Sequence, residues 1–441
     1  MISYGDITAT DGAAVTHREA ERLRSVRPKE PDVVYLRPAR WIIVSTLAML
    51  SVACSTSPSA SPGVIVDGPS GTPGAASPTA SATPIVTSAP AWAITDLPFP
   101  EHATACAPAD GGLQNLRVVG FGSGLLAFGS CAHTASPSLV WVSVDGRSWR
   151  ASAPSTLAHA DVYQLLVADG LVIATGQDVA NGATAAAWTS RDGLSWTHSK
   201  GDLGCGVMSR VTRFGSEFVA FGNRVPEIPE FEVPPGVCEW VSADGLSWTP
   251  ISLPKTVFSD HAVVSSVWAG PGGLIAVGTD SGPVHSAAAL WRSSDGRSWT
   301  RSASLWAADW FSIDVVLPRG PGFVVLGTDA HGNAELATSA DGVTWIPAPA
   351  PGQGPLYGGP PLAVGPAGFI YGGIPVNGSQ SPTMVWTSSD GSSWLPGPTL
   401  PPEFPTAPEG LAYHSVAVVT GSFVVAASRA RGGAVVVTLT P

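Results

Sequence analysis

Three arginines, Arg117, Arg210 and Arg213, stand in strand-like runs of this 441-residue chain, and guanidinium groups brought to one centre would hold an anion. Salt-bridging or solvent-facing roles explain the same three residues. Three aspartates end a recurring phrase, GQD at Asp178 and GTD at both Asp280 and Asp329, which would set carboxylates at equivalent points of a repeated unit. Turn capping explains them equally well. The segment SLWAADWF carries Trp306, Trp310 and Phe311, a platform for a sugar or peptide if exposed and a seal between structural units if buried. Nine histidines fall without metal-ligand spacing, and there is no CxxC, HExxH or phosphate-cradling glycine loop, so the sequence implies no metal and no cofactor.

Charge narrows the partners. The formal net charge is −11, and Lys29, Lys200 and Lys255 are the only lysines, which argues against nucleic acid, whose binding needs a basic face to displace counterions. Charged residues make up 12% of the chain against 50 Gly and 41 Pro, a balance that predicts frequent turns rather than long helices. Sixteen Trp and 13 Phe supply the apolar area for a core.

The elements that would position such groups show themselves as a repeat. WVSVDGRSW, WTSRDGLSW, WVSADGLSW, WRSSDGRSW, ATSADGVTW and WTSSDGSSW end at Trp149, Trp196, Trp248, Trp299, Trp345 and Trp394. Their aspartates, Asp145, Asp192, Asp244, Asp295, Asp341 and Asp390, are 47, 52, 51, 46 and 49 residues apart, the length of one four-stranded propeller blade. Asp-Gly between strand-like runs marks a tight hairpin, because Gly accepts positive φ and the carboxylate can bond nearby N–H groups. Upstream of each hairpin lie two more strand-like runs, of which the second recurs as GLLAFG, GLVIATG, EFVAFG, GLIAVG, GFVVLG and GFIYGG. Each unit therefore reads as four strands, A to D.

A seventh unit, from Leu411 to Thr440, supplies strands A to C without a hairpin. The missing D strand is expected at residues 91–98, AWAITDLP, which resemble SWTPISLP, with Trp92 in the place of Trp248. The fold expected is all-β, a seven-bladed β-propeller closed by an N-terminal strand, with a six-bladed ring as the alternative.

The repeat resembles the Asp-box, or BNR-repeat, hairpins of sialidase-like propellers and of photosystem II assembly-factor propellers. The resemblance implies that the six aspartates are structural and lie on the face away from any catalytic site. A sialidase also needs three arginines, a Tyr–Glu nucleophile pair, an acidic Asp and a Phe-Arg-Ile-Pro motif before the first box. The nearest string here is Asn223-Arg224-Val225-Pro226, in the third unit and without the aromatic. The expectation is a non-catalytic binding or assembly scaffold for a protein or glycan, because the sialidase motifs are missing. A sialidase-type glycoside hydrolase is the alternative.

Cys106 and Cys205 both lie 39 residues before their box aspartates, and Cys131 and Cys238 fall in B-to-C loops of the same two blades. D-to-A connectors and B-to-C loops share one face, which favours Cys106–Cys131 and Cys205–Cys238 among the three possible connectivities. The fifth, Cys54, follows an apolar run, residues 41–53, in the context LSVAC, which resembles the lipobox of bacterial lipoproteins. Residues 1–54 are read as a leader, with Val33 and Val34 as alternative starts. Residues 55–90 are read as a disordered tether: all but six of the 36 are Ser, Thr, Pro, Ala or Gly. The propeller spans 91–441. The whole is expected to be an extracytoplasmic monomer held at a bacterial cell membrane by its N-terminus, through a lipid or a signal anchor.

Overall fold

A computed structural model describes residues 91–100, 113–131, 138–180, 182–224, 236–270, 272–280, 287–302, 310–331, 333–350, 362–365, 368–373, 384–396, 411–419, 422–429 and 434–440. The leader, the tether, Cys54, Cys106 and Trp306 lie outside them. Among these residues 28 strands form seven four-stranded antiparallel sheets, which makes the chain a seven-bladed propeller and removes the six-bladed alternative.

Blade 1 runs Leu113–Phe121, Gly124–Cys131, Leu139–Ser143 and Arg150–Ser152. Blade 2 runs Ala160–Ala168, Leu171–Asp178, Thr184–Ser190 and Thr197–His198. Blade 3 runs Val207–Phe214, Glu217–Asn223, Val237–Ser242 and Thr249–Ile251. Blades 4, 5 and 6 begin at Ala262, Trp310 and Leu362 with the same order of strands. Blade 7 takes Leu411–Val419, Ser422–Arg429 and Ala434–Thr440 from the end of the chain and Ala91–Asp96 from its start. That last strand pairs from Ala91↔Thr440 to Asp96↔Val435, with Trp92 opposite Leu439, so first and last blades share one sheet. The ring has no open seam there.

The core is distributed between blades, as flat sheets stacked around an axis require. Each apolar layer joins two neighbours: Leu126, Phe128 and Trp188 between blades 1 and 2, and Phe221, Phe258 and Trp291 between blades 3 and 4. Four third-strand tryptophans, Trp141, Trp188, Trp240 and Trp291, are fully buried. Three of them fasten the connector entering their own blade, Trp141 by donating to Pro98 O, Trp240 to Leu203 O at 2.9 Å and Trp291 to Val257 O at 2.8 Å.

The hairpins are built from Ser as much as from Asp. In the first, Asp145 Oδ1 accepts from the backbone N–H of Arg147 and Ser148 at 2.8 and 2.7 Å, while Ser143 Oγ accepts from Gly146 N–H at 2.8 Å. Gly146 has φ +70°, which only glycine adopts without strain. Trp149 Nε1 donates to Gly146 O at 3.1 Å. These bonds stabilise the ionised carboxylate, the Ser148 amide first, and hold Asp145 down to about 2. The same bonds recur around Asp192, Asp244, Asp341 and Asp390.

Candidate functional site

The first strands of all seven blades enclose a central channel of about 470 Å³. A bulge in the first strand of most blades decides what enters it. Pairing skips between Val162 and Gln164, Met208 and Arg210, Val264 and Ser266, Ile313 and Val315, and Tyr413 and Ser415. An extra residue in one strand bends it and re-aims the neighbouring side chains. The residues so presented are polar: Tyr163, Gln164, Arg210, Ser265, Ser266, Asp314 and Ser415, with Arg117 at the corresponding point of blade 1.

These groups stitch the ring as well as line it. Gln164 Nε2 donates to Val211 O at 3.1 Å and Gln164 Oε1 accepts from Val211 N–H at 2.8 Å, joining blades 2 and 3. Ser266 Oγ accepts from Val316 N–H at 3.3 Å, and Ser415 Oγ from Val118 N–H at 3.1 Å. Arg210 donates through Nε to Ser265 O and through Nη1 to Ser209 O at 2.7 Å, which fixes its guanidinium in the channel.

The electrostatics follow from burial. Arg210 is lowered to about 10, first by burial and then by Arg117, with Asp314 opposing. Burial also lowers Arg117. Asp314 is pushed up by burial, against the pull of the Ser312 hydroxyl, 3.0 Å away, and of Arg210. Two guanidinium groups and one carboxyl, Asp314, line the same polar level of the channel, a set of donors suited to an anionic group. Beside them, Tyr163 Oη donates to Asp161 Oδ2 at 3.0 Å, and Gln177 Nε2 donates to the same oxygen at 3.1 Å. Burial first, then the charge of Asp161, holds the Tyr163 hydroxyl above its ordinary value.

Arg117 and Arg210 thus meet in the channel, whereas Arg213 does not. It pairs with Asp169 at 2.9 Å and stands 4.7 Å over the ring of Phe218, because it follows Arg210 by three residues of a strand beyond the bulge. Asp178 Oδ1 accepts from Ala180 N–H at 2.9 Å, and Asp329 Oδ1 from the N–H groups of His331 and Asn333, both at 2.8 Å. Asp280 is buried, bonded by Ser259 Oγ and paired with Arg301 at 2.6 Å. All three carboxylates are engaged within their own blade or the connector entering it. Trp310 packs beside Ile313 and Phe323, while Phe311 is exposed at the start of the blade 5 first strand. Cys205 and Cys238 form a disulfide at a sequence separation of 33; the side chain of Cys131 lies outside the described residues, as does Cys106. Among the described residues no cluster of three or more His, Cys, Asp or Glu is placed to hold a metal.

Two groups carry no mark in the motifs. Asp314, Asp161 and Tyr163 become visible only through the bulges. Glu239 had a signal: it occupies a third-strand position held by Val140, Ala187, Leu290, Leu336, Val385 and Val436 in the other blades. It is 1% exposed.

No family model matches the sequence, and no curated protein does. Among solved structures the chain is similar to "YCF48 bound to D1 peptide", at 11% identity and a TM-score of 0.47, covering 79% of this chain and 95% of that one. It is also similar to a Trypanosoma rangeli sialidase in complex with the inhibitor DANA, at 12% identity and a TM-score of 0.41, covering 74% of this chain and 55% of that one. The same sialidase in complex with sialic acid aligns at 11% identity and a TM-score of 0.41, over 80% and 59%. The chain spans little more than half the length of these sialidases.

Proposed function

We propose that this chain is a surface-anchored extracytoplasmic propeller that binds a protein or glycan without turning it over. The observation that carries the reading is the channel, whose lining brings together Arg117, Arg210 and Asp314 from three different blades. An acidic side chain or a sugar acid reaching in from the connector face would meet two guanidinium groups at low dielectric, where charge-assisted hydrogen bonds are strong. Screening acidic peptides and sialylated glycans against the wild type and Arg210→Gln tests it. Binding should weaken at least tenfold in the variant with the melting temperature kept within a few degrees; equal binding by both proteins would place the site elsewhere. Anchoring rests on Cys54, and incorporation of labelled fatty acid should vanish in Cys54→Ser.

A second reading, a sialidase-type glycoside hydrolase, draws on one specific observation: Tyr163 hydrogen-bonded to Asp161 in the first strand of blade 2, with the raised Asp314 in the first strand of blade 5. A tyrosine nucleophile needs an easily removed proton, and the shift of Tyr163 is in the opposite direction. Binding therefore stands first.

A further inference from the structure

The seam between blades 3 and 4 contains a carboxyl where the other blades have apolar side chains. Glu239 is buried among Phe221, Trp299 and the aromatic stack of Phe258 on Trp291, whose ring centroids are 4.8 Å apart. Trp299 Nε1 donates to both of its oxygens at 3.1 Å. This departs from the first three hairpins, where Trp149, Trp196 and Trp248 donate to the carbonyls of Gly146, Gly193 and Gly245 at 3.0–3.1 Å. Trp299 has the corresponding carbonyl, at Gly296, in its own hairpin.

Beside this seam a cavity of about 260 Å³ lies on the connector face of blade 3. Glu239 contributes to its lining together with the disulfide, Phe258, Arg224 and Lys255. Lys255 pairs with Asp260 at 2.8 Å. A carboxyl between an apolar seam and a polar cavity lined by Arg224, Lys255 and Asp260 has a place in each of its charge states.

We propose that Glu239 is a two-position switch: protonated, it holds the Trp299 indole across the seam; ionised, it turns into the cavity towards Arg224 and Lys255, and Trp299 donates to Gly296 O. The proton leaves to solvent through the cavity. The charged groups around it act in both directions. From the blade 4 hairpin, the Trp299 N–H and then Arg297 favour the ionised form where Glu239 stands and Asp295 opposes it, so it is the burial of the charge, not the indole, that drives the ionised carboxylate out of the seam. Arg297 is itself bonded to Glu217 of the adjacent second strand at 2.8 and 3.0 Å. From the connector come Lys255 and Asp260. Burial outweighs all of them and pushes Glu239 up to about 8. Because the connector face carries this cavity, its charge and shape change together as the switch moves.

The test is the indole ¹⁵N–¹H resonance of Trp299 in the full chain between pH 6 and 10. It should move with a midpoint near 8 and, at high pH, converge on its position in Glu239→Leu, which has the residue of blade 4 at this point. Glu239→Gln should hold it at one position throughout. Arg224→Ala combined with Lys255→Ala should raise the midpoint by about one unit, a tenfold change in the equilibrium. A resonance that does not titrate, one that still titrates in Glu239→Gln, movement away from the Glu239→Leu position, or a midpoint unchanged in the double variant would each overturn the switch.

Discussion

Deleting residues 91–99 is expected to lower the stability of the propeller by about 5 kcal/mol or more, a large part of the 5–15 kcal/mol that a folded domain commonly has. The segment supplies six paired positions of the blade 7 sheet and a further bond from Leu97 N–H to Ala434 O at 2.8 Å. Leu97 is 3% exposed in the layer between blades 7 and 1, Phe99 meets Trp141 edge-on with centroids 6.1 Å apart, and Trp141 donates to Pro98 O. Backbone hydrogen bonds contribute about 1 kcal/mol each and a buried Leu about 2 kcal/mol, so the sum exceeds any single core substitution. The strand Ala434–Thr440 would also become an open edge, and the truncated chain should aggregate on warming. Thermal unfolding with light scattering checks both effects. Deleting residues 55–90 instead should leave the melting temperature unchanged; a comparable fall for that deletion would show that closure is not what residues 91–99 provide.

Gly222→Ala is expected to cost about 3 kcal/mol or more, although it adds one methyl group. A Cβ at Gly222 would lie 1.8 Å from Val207 O and 2.8 Å from the Val207 carbonyl carbon, both backbone atoms that cannot rotate aside. Gly222 pairs with Met208 next to the bulge that directs Arg210 into the channel, so relief of the clash displaces that arginine. The same close approach occurs at Gly176, which faces Asp161 O, and at Gly278, which faces Val263 O. Gly122→Ala is the control: it has open space and φ +60°, so only backbone strain of about 1 kcal/mol applies. Denaturant unfolding of the two variants should separate them clearly. Equal losses would mean that the bulge tolerates a side chain at that position.

Much of the architecture is legible in the sequence because each hairpin repeats a local solution. Ser143, Asp145, Gly146 and Trp149 interact within seven residues, so their spacing survives in one dimension. The ring closure is legible for a related reason: AWAITDLP copies another D strand, and Trp92 is paired with Leu439. The glycines near the ends of the second strands are visible as a pattern, but their cause at Gly176, Gly222 and Gly278, a neighbouring backbone oxygen less than 2 Å from a Cβ, is a tertiary contact. The channel is less legible still. Arg210 and Arg213, three residues apart in one strand, face opposite sides, and the bulge between Met208 and Arg210 settles which of them enters the channel and which lies beside Asp169. Asp314 and Tyr163 sit at equivalent skipped positions 151 residues apart, a correspondence that requires the bulges to be seen. Glu239 lay open to alignment of the third strands, where a lone carboxyl interrupts an apolar column.

Turnover of a fluorogenic sialoside by the full chain, compared with that of Asp314→Asn, tests the central reading most directly. A binding propeller predicts no release of fluorophore beyond the rate of the variant. Release by the wild type that Asp314→Asn abolishes, with the variant folded, would contradict it and make the channel a hydrolytic site.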